Sequence, residues 1–339
     1  MAQTEYIETS ANGIFSGVYF MGRWVKKTVA NQTTMYTTNL GAAFLLMTKH
    51  TSCLKLKFMD TTPIARFQPE IAIFIDDRPE LRFKVNEVPS ELQLQSDRPH
   101  LIRFVFAGNS DSDEVWQHQQ GLAITDISPK DTGQLTAVKP AGRTIAFIGD
   151  SITAGCWVLG RVPSAGYAAE SNYAAQTAQQ LNAVDIRIAY SAAGLLRYGT
   201  GGVPAAPRFV KYVDFETKAP QLQPDLLVVN LGTNDRKLPS VLFETQFFSF
   251  IKELKQLFPK ASLNVIIPFN QSFAQELRHL AKQDAQIHLI ETQDWPITFT
   301  DGAHPDLNGS KIIAQHLTTA LKHYYGTDYF KNQLHRGLF

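Results

Sequence analysis

A chain of 339 residues with 44% apolar and 19% charged residues is long for one hydrophobic core and natural for two domains of a globular protein. Its 32 basic and 31 acidic residues leave a formal net charge of +1, so no global field recruits nucleic acid or an anionic membrane, and a small or neutral ligand is the expected partner. No basic-then-apolar leader and no membrane-length apolar run is visible, and with only Cys53 and Cys156 a disulfide framework is not expected, so the expected location is cytoplasmic.

From about Ser10 to Thr136 the texture is all-β. Short apolar or alternating runs recur at 44–47, 53–58, 71–75 and 101–106, separated by turn clusters at 76–79, 96–99 and 108–113. Many short strands at this spacing predict a β-sandwich or jelly roll. Pro140 and Gly142 then punctuate a linker, which puts the expected boundary between a domain of residues 1–138 and one of residues 139–339. Beyond it, β-like and helix-like segments alternate, which argues a parallel sheet with crossover helices. Strands are expected at 144–149, 186–191, 226–231, 262–268 and 286–291, and helices at 169–183, 240–258, 271–283 and 307–323. In the second helix Leu242, Phe247, Phe248, Ile251, Leu254 and Leu257 form the expected apolar stripe, and Pro259 stops it. The aromatic tail (Tyr324, Tyr325, Tyr329, Phe330, Phe339) is expected to pack on the body or on a second subunit, so a homo-oligomer is open.

Four stretches carry chemistry. In the first, the apolar run Ile145 to Ile148 stops at Gly149-Asp150-Ser151, which reads as a strand delivering a serine to the carboxyl edge of a sheet, where open α/β sheets bind ligands. Thr153 stands where the nucleophile elbow of the α/β-hydrolases requires glycine, and no lysine is present for a phosphate-cradling loop. In the second, the strand Leu226 to Leu231 ends in Gly232-Thr233-Asn234-Asp235, bringing Asn234 to the same edge. Its amide can donate to a developing oxyanion or simply satisfy its own turn. In the third, Asp301-Gly302-Ala303-His304-Pro305 precedes the last helix. Asp301 can accept from Nδ1–H of His304 while Nε2 faces Ser151, although a lone His304 would equally read as a solvated loop histidine. In the fourth, Gly194 follows the strand at 186–191 and either offers a backbone N–H beside Ser151 or merely ends the strand. No cysteine or histidine spacing resembles a zinc site, and no cofactor is expected.

The order and spacing of these blocks resemble the SGNH, or GDSL-type, hydrolases. The resemblance implies a flavodoxin-like three-layer α/β/α domain, Ser151 as nucleophile, His304 as base, Asp301 as its orienter, and an oxyanion hole from the Ser151 and Gly194 amides and the Asn234 side chain. Gly22-Arg23-Trp24, the Tyr36 to Leu46 strand region, and His100-Leu101-Ile102-Arg103 leading to Gly121 further resemble the amino-terminal jelly roll of carbohydrate esterase family two. That family joins such a domain to an SGNH domain and removes acetyl groups from sugars. The resemblance thus implies a serine esterase acting on a small-molecule or oligosaccharide ester through an acyl-enzyme. A short-chain acyl esterase or lysophospholipase on the same scaffold, and a glycan-binding protein with an idle hydrolase half, are the alternatives. Asp150, by its position at the strand end, is expected to hold the turn rather than join the chemistry.

Overall fold

The computed structural model describes residues 15–62 and 67–331; Ser10, where the expected β-rich region opens, and Phe339 of the aromatic tail lie outside them. Two antiparallel sheets form the front half. One orders Tyr19–Met21, Ala43–Lys49, His100–Gly108, Glu70–Ile75 and Leu81–Lys84, with Gln134–Ala137 also pairing on Ala43–Lys49. The other orders Val25–Val29, Gln32–Thr37, Leu122–Pro129, Cys53–Met59 and Glu91–Gln93. Alternation along the strands turns Phe20, Phe44, Leu54, Ile71 and Phe104 into the space between the sheets, where Phe44 stacks on Phe104 at a centroid distance of 4.4 Å. The Tyr36 to Leu46 stretch is not one strand. It leaves one sheet after Thr37 and enters the other at Ala43, and Gly41 supplies the left-handed residue (φ 81°) in the crossing.

The back half is a five-stranded parallel sheet of β1 (Thr144–Gly149), β2 (Val184–Ala189), β3 (Leu226–Asn230), β4 (Ser262–Ile266) and β5 (Ile287–Ile290), ordered β2-β1-β3-β4-β5. This is the flavodoxin-like order, in which β1 lies at the switch point where ligands meet the strand ends. Helices α1 (Ser151–Ala154), α2 (Tyr173–Gln180), α3 (Ala206–Phe209), α4 (Ser240–Leu257), α5 (Ala274–Gln283) and α6 (Leu307–Tyr325) complete it. Because side chains alternate along a strand, Ile145 and Phe147 of β1 pack under α2 and α6, whereas Ala146 and Ile148 pack under α4 and α5. The result is a three-layer α/β/α sandwich.

Three expected elements shift. Helix α2 begins only at Tyr173, because the Ala168 and Ala169 amides donate to the Gly155 and Ala107 carbonyls and Asn172 caps the helix with its side chain. Helix α5 begins at Ala274, since Gln271 and Phe273 adopt left-handed backbone (φ 59° and 58°). The buried face of α4 is Phe243, Phe247, Phe250, Ile251 and Leu254, so the stripe is rotated from the expected one and Leu242 faces outward. The tail packs on the body as far as Phe330, with the Tyr325 hydroxyl donating to Asn264 Oδ1 at 3.0 Å.

The two halves share a buried contact. Ala154, Cys156, Tyr167 and Ala169 join the core of the front half. Arg23, itself buried, donates to the Phe209 carbonyl at 2.9 Å, and Arg82 pairs with Glu170 at 2.7 Å. Both cysteines are free and buried.

Candidate active site

Everything at the site hangs from the end of β1. At Gly149 a Cβ would stand 2.1 Å from Thr153 Oγ1 and 3.0 Å from the Asn230 carbonyl oxygen, so only glycine lets the chain turn this tightly beside β3. Asp150 then caps α1, its Oδ1 accepting from the Ile152 N–H at 2.9 Å. Ser151 is thereby the first residue of α1, with its N–H among the donors that a helix start leaves unsatisfied.

Opposite it, Asp301 folds its own loop. Its Oδ1 accepts from the N–H groups of Ala303 (3.1 Å) and His304 (2.8 Å), and Gly302 takes the left-handed conformation (φ 84°) that lets the loop close. The same carboxylate accepts from His304 Nδ1 at 3.0 Å through Oδ2, which leaves Nε2 to accept from the Ser151 hydroxyl at 2.9 Å. Burial pushes the Asp301 carboxyl up, but the hydrogen bonds from the His304 amide, the His304 ring and the Ala303 amide outweigh it and hold the group below the usual carboxylate range. An ionised Asp301 facing Nδ1 fixes the tautomer in which Nε2 can take a proton.

Asn234 arrives from the turn after β3. Its Nδ2 donates to the Ala193 carbonyl at 3.0 Å and to Asp150 Oδ2 at 3.3 Å, so Asp150 ties the serine turn to the asparagine turn. Burial pushes the Asp150 carboxyl up to about 7. The neighbouring Asp235 accepts from the N–H groups of Leu195, Leu196 and Arg197 at 2.7, 3.0 and 3.2 Å and so shapes the loop after β2.

Gly194 is where the geometry departs from expectation. The Ala193 carbonyl faces Asn234, so the N–H of that same trans peptide, which belongs to Gly194, points away; it donates to the Arg197 carbonyl at 2.9 Å. The expected oxyanion donor is thus engaged elsewhere in this structure. The glycine has another physical reason: a Cβ there would lie 2.5 and 2.6 Å from the two Asp235 carboxylate oxygens.

Sequence reasoning missed Trp157. Its ring meets the His304 imidazole edge-on at 4.8 Å, and its carbonyl accepts from Thr300 Oγ1 at 2.7 Å, which braces the histidine loop. Only its place in the loop after the serine could have suggested it. Among the described residues no cluster of three or more His, Cys, Asp or Glu side chains could hold a metal ion, and no helix is long and apolar enough to cross a membrane.

A serine, a histidine and an aspartate thus lie in one hydrogen-bonded line at the switch point of an α/β/α sandwich, an arrangement that can present an activated nucleophile. Residues 147–312 match the model described as the GDSL-like Lipase/Acylhydrolase family. The chain is also 27% identical over 218 residues to the cellulase/esterase CelE of Acetivibrio thermocellus; the match covers 57% of this chain and 27% of that protein's length, so the chain spans about a quarter of the curated relative. Among solved structures, a family two carbohydrate esterase from Cellvibrio japonicus superposes with a TM-score of 0.76 at 18% identity, covering 93% of this chain and 96% of that one. A family two carbohydrate esterase from Clostridium thermocellum, in complex with cellohexaose, gives 0.73 at 21% identity, covering 92% and 100%. These likenesses take in both halves and establish the two-part fold.

Proposed function

We propose that this chain is a serine esterase that hydrolyses small O-acyl esters, acetyl esters foremost, on carbohydrates. The observation that carries the proposal is the continuous line from Ser151 Oγ through His304 Nε2 and Nδ1 to Asp301, with contacts of 2.9 and 3.0 Å. In the first half-reaction Ser151 Oγ attacks the ester carbonyl as its proton passes to His304 Nε2, and the imidazolium returns that proton to the leaving alcohol. Water then attacks the acyl-serine, His304 takes its proton, and the carboxylic acid leaves as Ser151 Oγ recovers a proton. The Ser151 N–H is assigned to the carbonyl oxygen as it gains charge, and Asn234 Nδ2 joins it by turning one of the two hydrogens it gives to the Ala193 carbonyl and to Asp150 Oδ2.

The carbohydrate class is supported by the comparisons with carbohydrate esterases and by the cellohexaose named for one of them. The test is hydrolysis of acetylated xylo- and mannooligosaccharides against acyl-glycerol esters of rising chain length, with fluorophosphonate labelling of the native protein and of Ser151→Ala. Acetyl sugars are expected to be cleaved far better than acyl chains of eight or more carbons, and labelling should vanish in the variant. A rate that rises with chain length would replace the carbohydrate assignment by a lipase-like one.

A further inference from the structure

An open cleft of ≈ 570 Å³ is lined by Arg197, Arg236 and Lys237 together with Asn234, Asp235 and the apolar Leu196 and Leu238. The cations come from two separate loops, the one after β2 and the one after β3, and all three side chains are exposed. Elsewhere Arg82, Arg143, Arg187 and Arg278 each pair with a carboxylate at 2.6 to 2.8 Å and Arg103, Arg161 and Arg208 lie over aromatic rings, whereas among the described residues none of the three cleft cations pairs with a carboxylate. Arg236 spends one guanidinium nitrogen on the Thr233 carbonyl at 3.0 Å, which fixes its base at the cleft wall and leaves its other donors toward solvent. The one carboxylate in the cleft, that of buried Asp235, has its two oxygens occupied by three backbone N–H groups.

Three cations without a carboxylate partner thus gather round one cleft beside the asparagine of the candidate site, in a chain whose formal net charge is only +1. Arginine presents a planar fork of donors suited to carboxylate, sulfate or phosphate oxygens, and clustered like charges in a concave site focus the field on an incoming anion. We infer that the cleft receives an anionic group carried by the acylated sugar, held by Arg197, Arg236 and Lys237 while the ester lies between Ser151 and Asn234. The substrate class is therefore an acidic carbohydrate ester, bearing a uronate carboxylate or a phosphate, rather than a neutral one. This inference rests on the esterase reading for its chemistry, though the anion site stands on its own geometry.

The test pairs two acetyl esters of matched shape, a mono-O-acetyl methyl glucuronoside and its neutral glucuronamide, with acetylated glucose 6-phosphate as a third arm and release of acetate as the readout. kcat/KM is expected to be at least about tenfold higher for the uronate or the phosphate than for the neutral amide at low ionic strength, falling as sodium chloride is raised. The arm with the larger ratio names the anion. In R197Q/R236Q the ratio should collapse to near one. Equal kcat/KM for charged and neutral esters in the native protein overturns the inference and leaves the esterase reading in place. If no ester is turned over, calorimetric binding to S151A decides. Tighter binding of the charged sugar would uphold the anion cleft while the esterase reading fails, and equal or absent binding would overturn the cleft as well.

Discussion

Ser151, His304 and Asp301 serve one proton transfer, so their losses are not expected to add. Ser151→Ala and His304→Ala should each lower kcat about a thousandfold or more, with the double variant little worse than either, whereas Asp301→Ala should cost less because Ser151 and His304 remain and Trp157 still braces the histidine loop. Steady-state kinetics of the four proteins checks this. Asp150 invites a finer substitution: Asp150→Asn preserves size and the cap on Ile152, but its Nδ2 would face Asn234 Nδ2 where Asp150 Oδ2 now accepts at 3.3 Å. Two donors cannot bond each other, so Asn234 should swing and kcat should fall by about ten- to a hundredfold with KM little changed. A matching rise in KM would instead assign Asn234 to ground-state binding. These residues were legible in the sequence because each sits in a glycine-led or aspartate-led turn at the end of a recognisable run. The direction of the Gly194 N–H was not, since it depends on the Arg197 carbonyl and on Asp235 closing a loop from another strand.

At the scale of elements, all five parallel strands and the four long helices could be read from apolar runs and their punctuation, but phase and termini were less secure. In α4 the period of the stripe is right and its rotation is not: adjacent Leu242 and Phe243 are both apolar, and only the packing of β1 and β3 beneath decides that Phe243 goes in. Leu242→Ala should therefore change stability by less than about 0.5 kcal/mol, while Phe243→Ala should cost about 3–5 kcal/mol, as read from urea midpoints. The loop after β2 gives a second check. Gly194→Ala forces a methyl group to within 2.5 Å of the Asp235 carboxylate, so it should destabilise by about 1–3 kcal/mol. It should also lower kcat, because the same loop presents the Ala193 carbonyl to Asn234.

Across the whole molecule, the seam between the β-sandwich and the α/β/α half was the least legible feature. Arg23, Arg82 and Glu170 look like ordinary charged residues in sequence, and only the folded chain reveals that the first and last are buried or nearly so. Glu170 makes the seam sensitive to pH. Burial pushes its carboxyl from 4.5 up to about 7, even with the Arg82 guanidinium 2.7 Å away. Between those values the native state holds a proton that the unfolded chain releases, so this group's contribution to stability is complete below about pH 4.5 and is lost as pH rises through 7. Each unit of that interval weighs at most about 1.4 kcal/mol. Glu170→Gln keeps the shape and an acceptor for Arg82 but cannot ionise. Its stability relative to the native protein should therefore rise from pH 5 to pH 7 and level off above, as measured by urea unfolding of both proteins at pH 5, 6, 7 and 8. Comparing the two cancels the carboxylates they share, including Asp301, whose lowered value acts in the opposite sense at lower pH. Parallel stability curves would mean that Arg82 keeps Glu170 ionised throughout and that the seam is held by a charged pair.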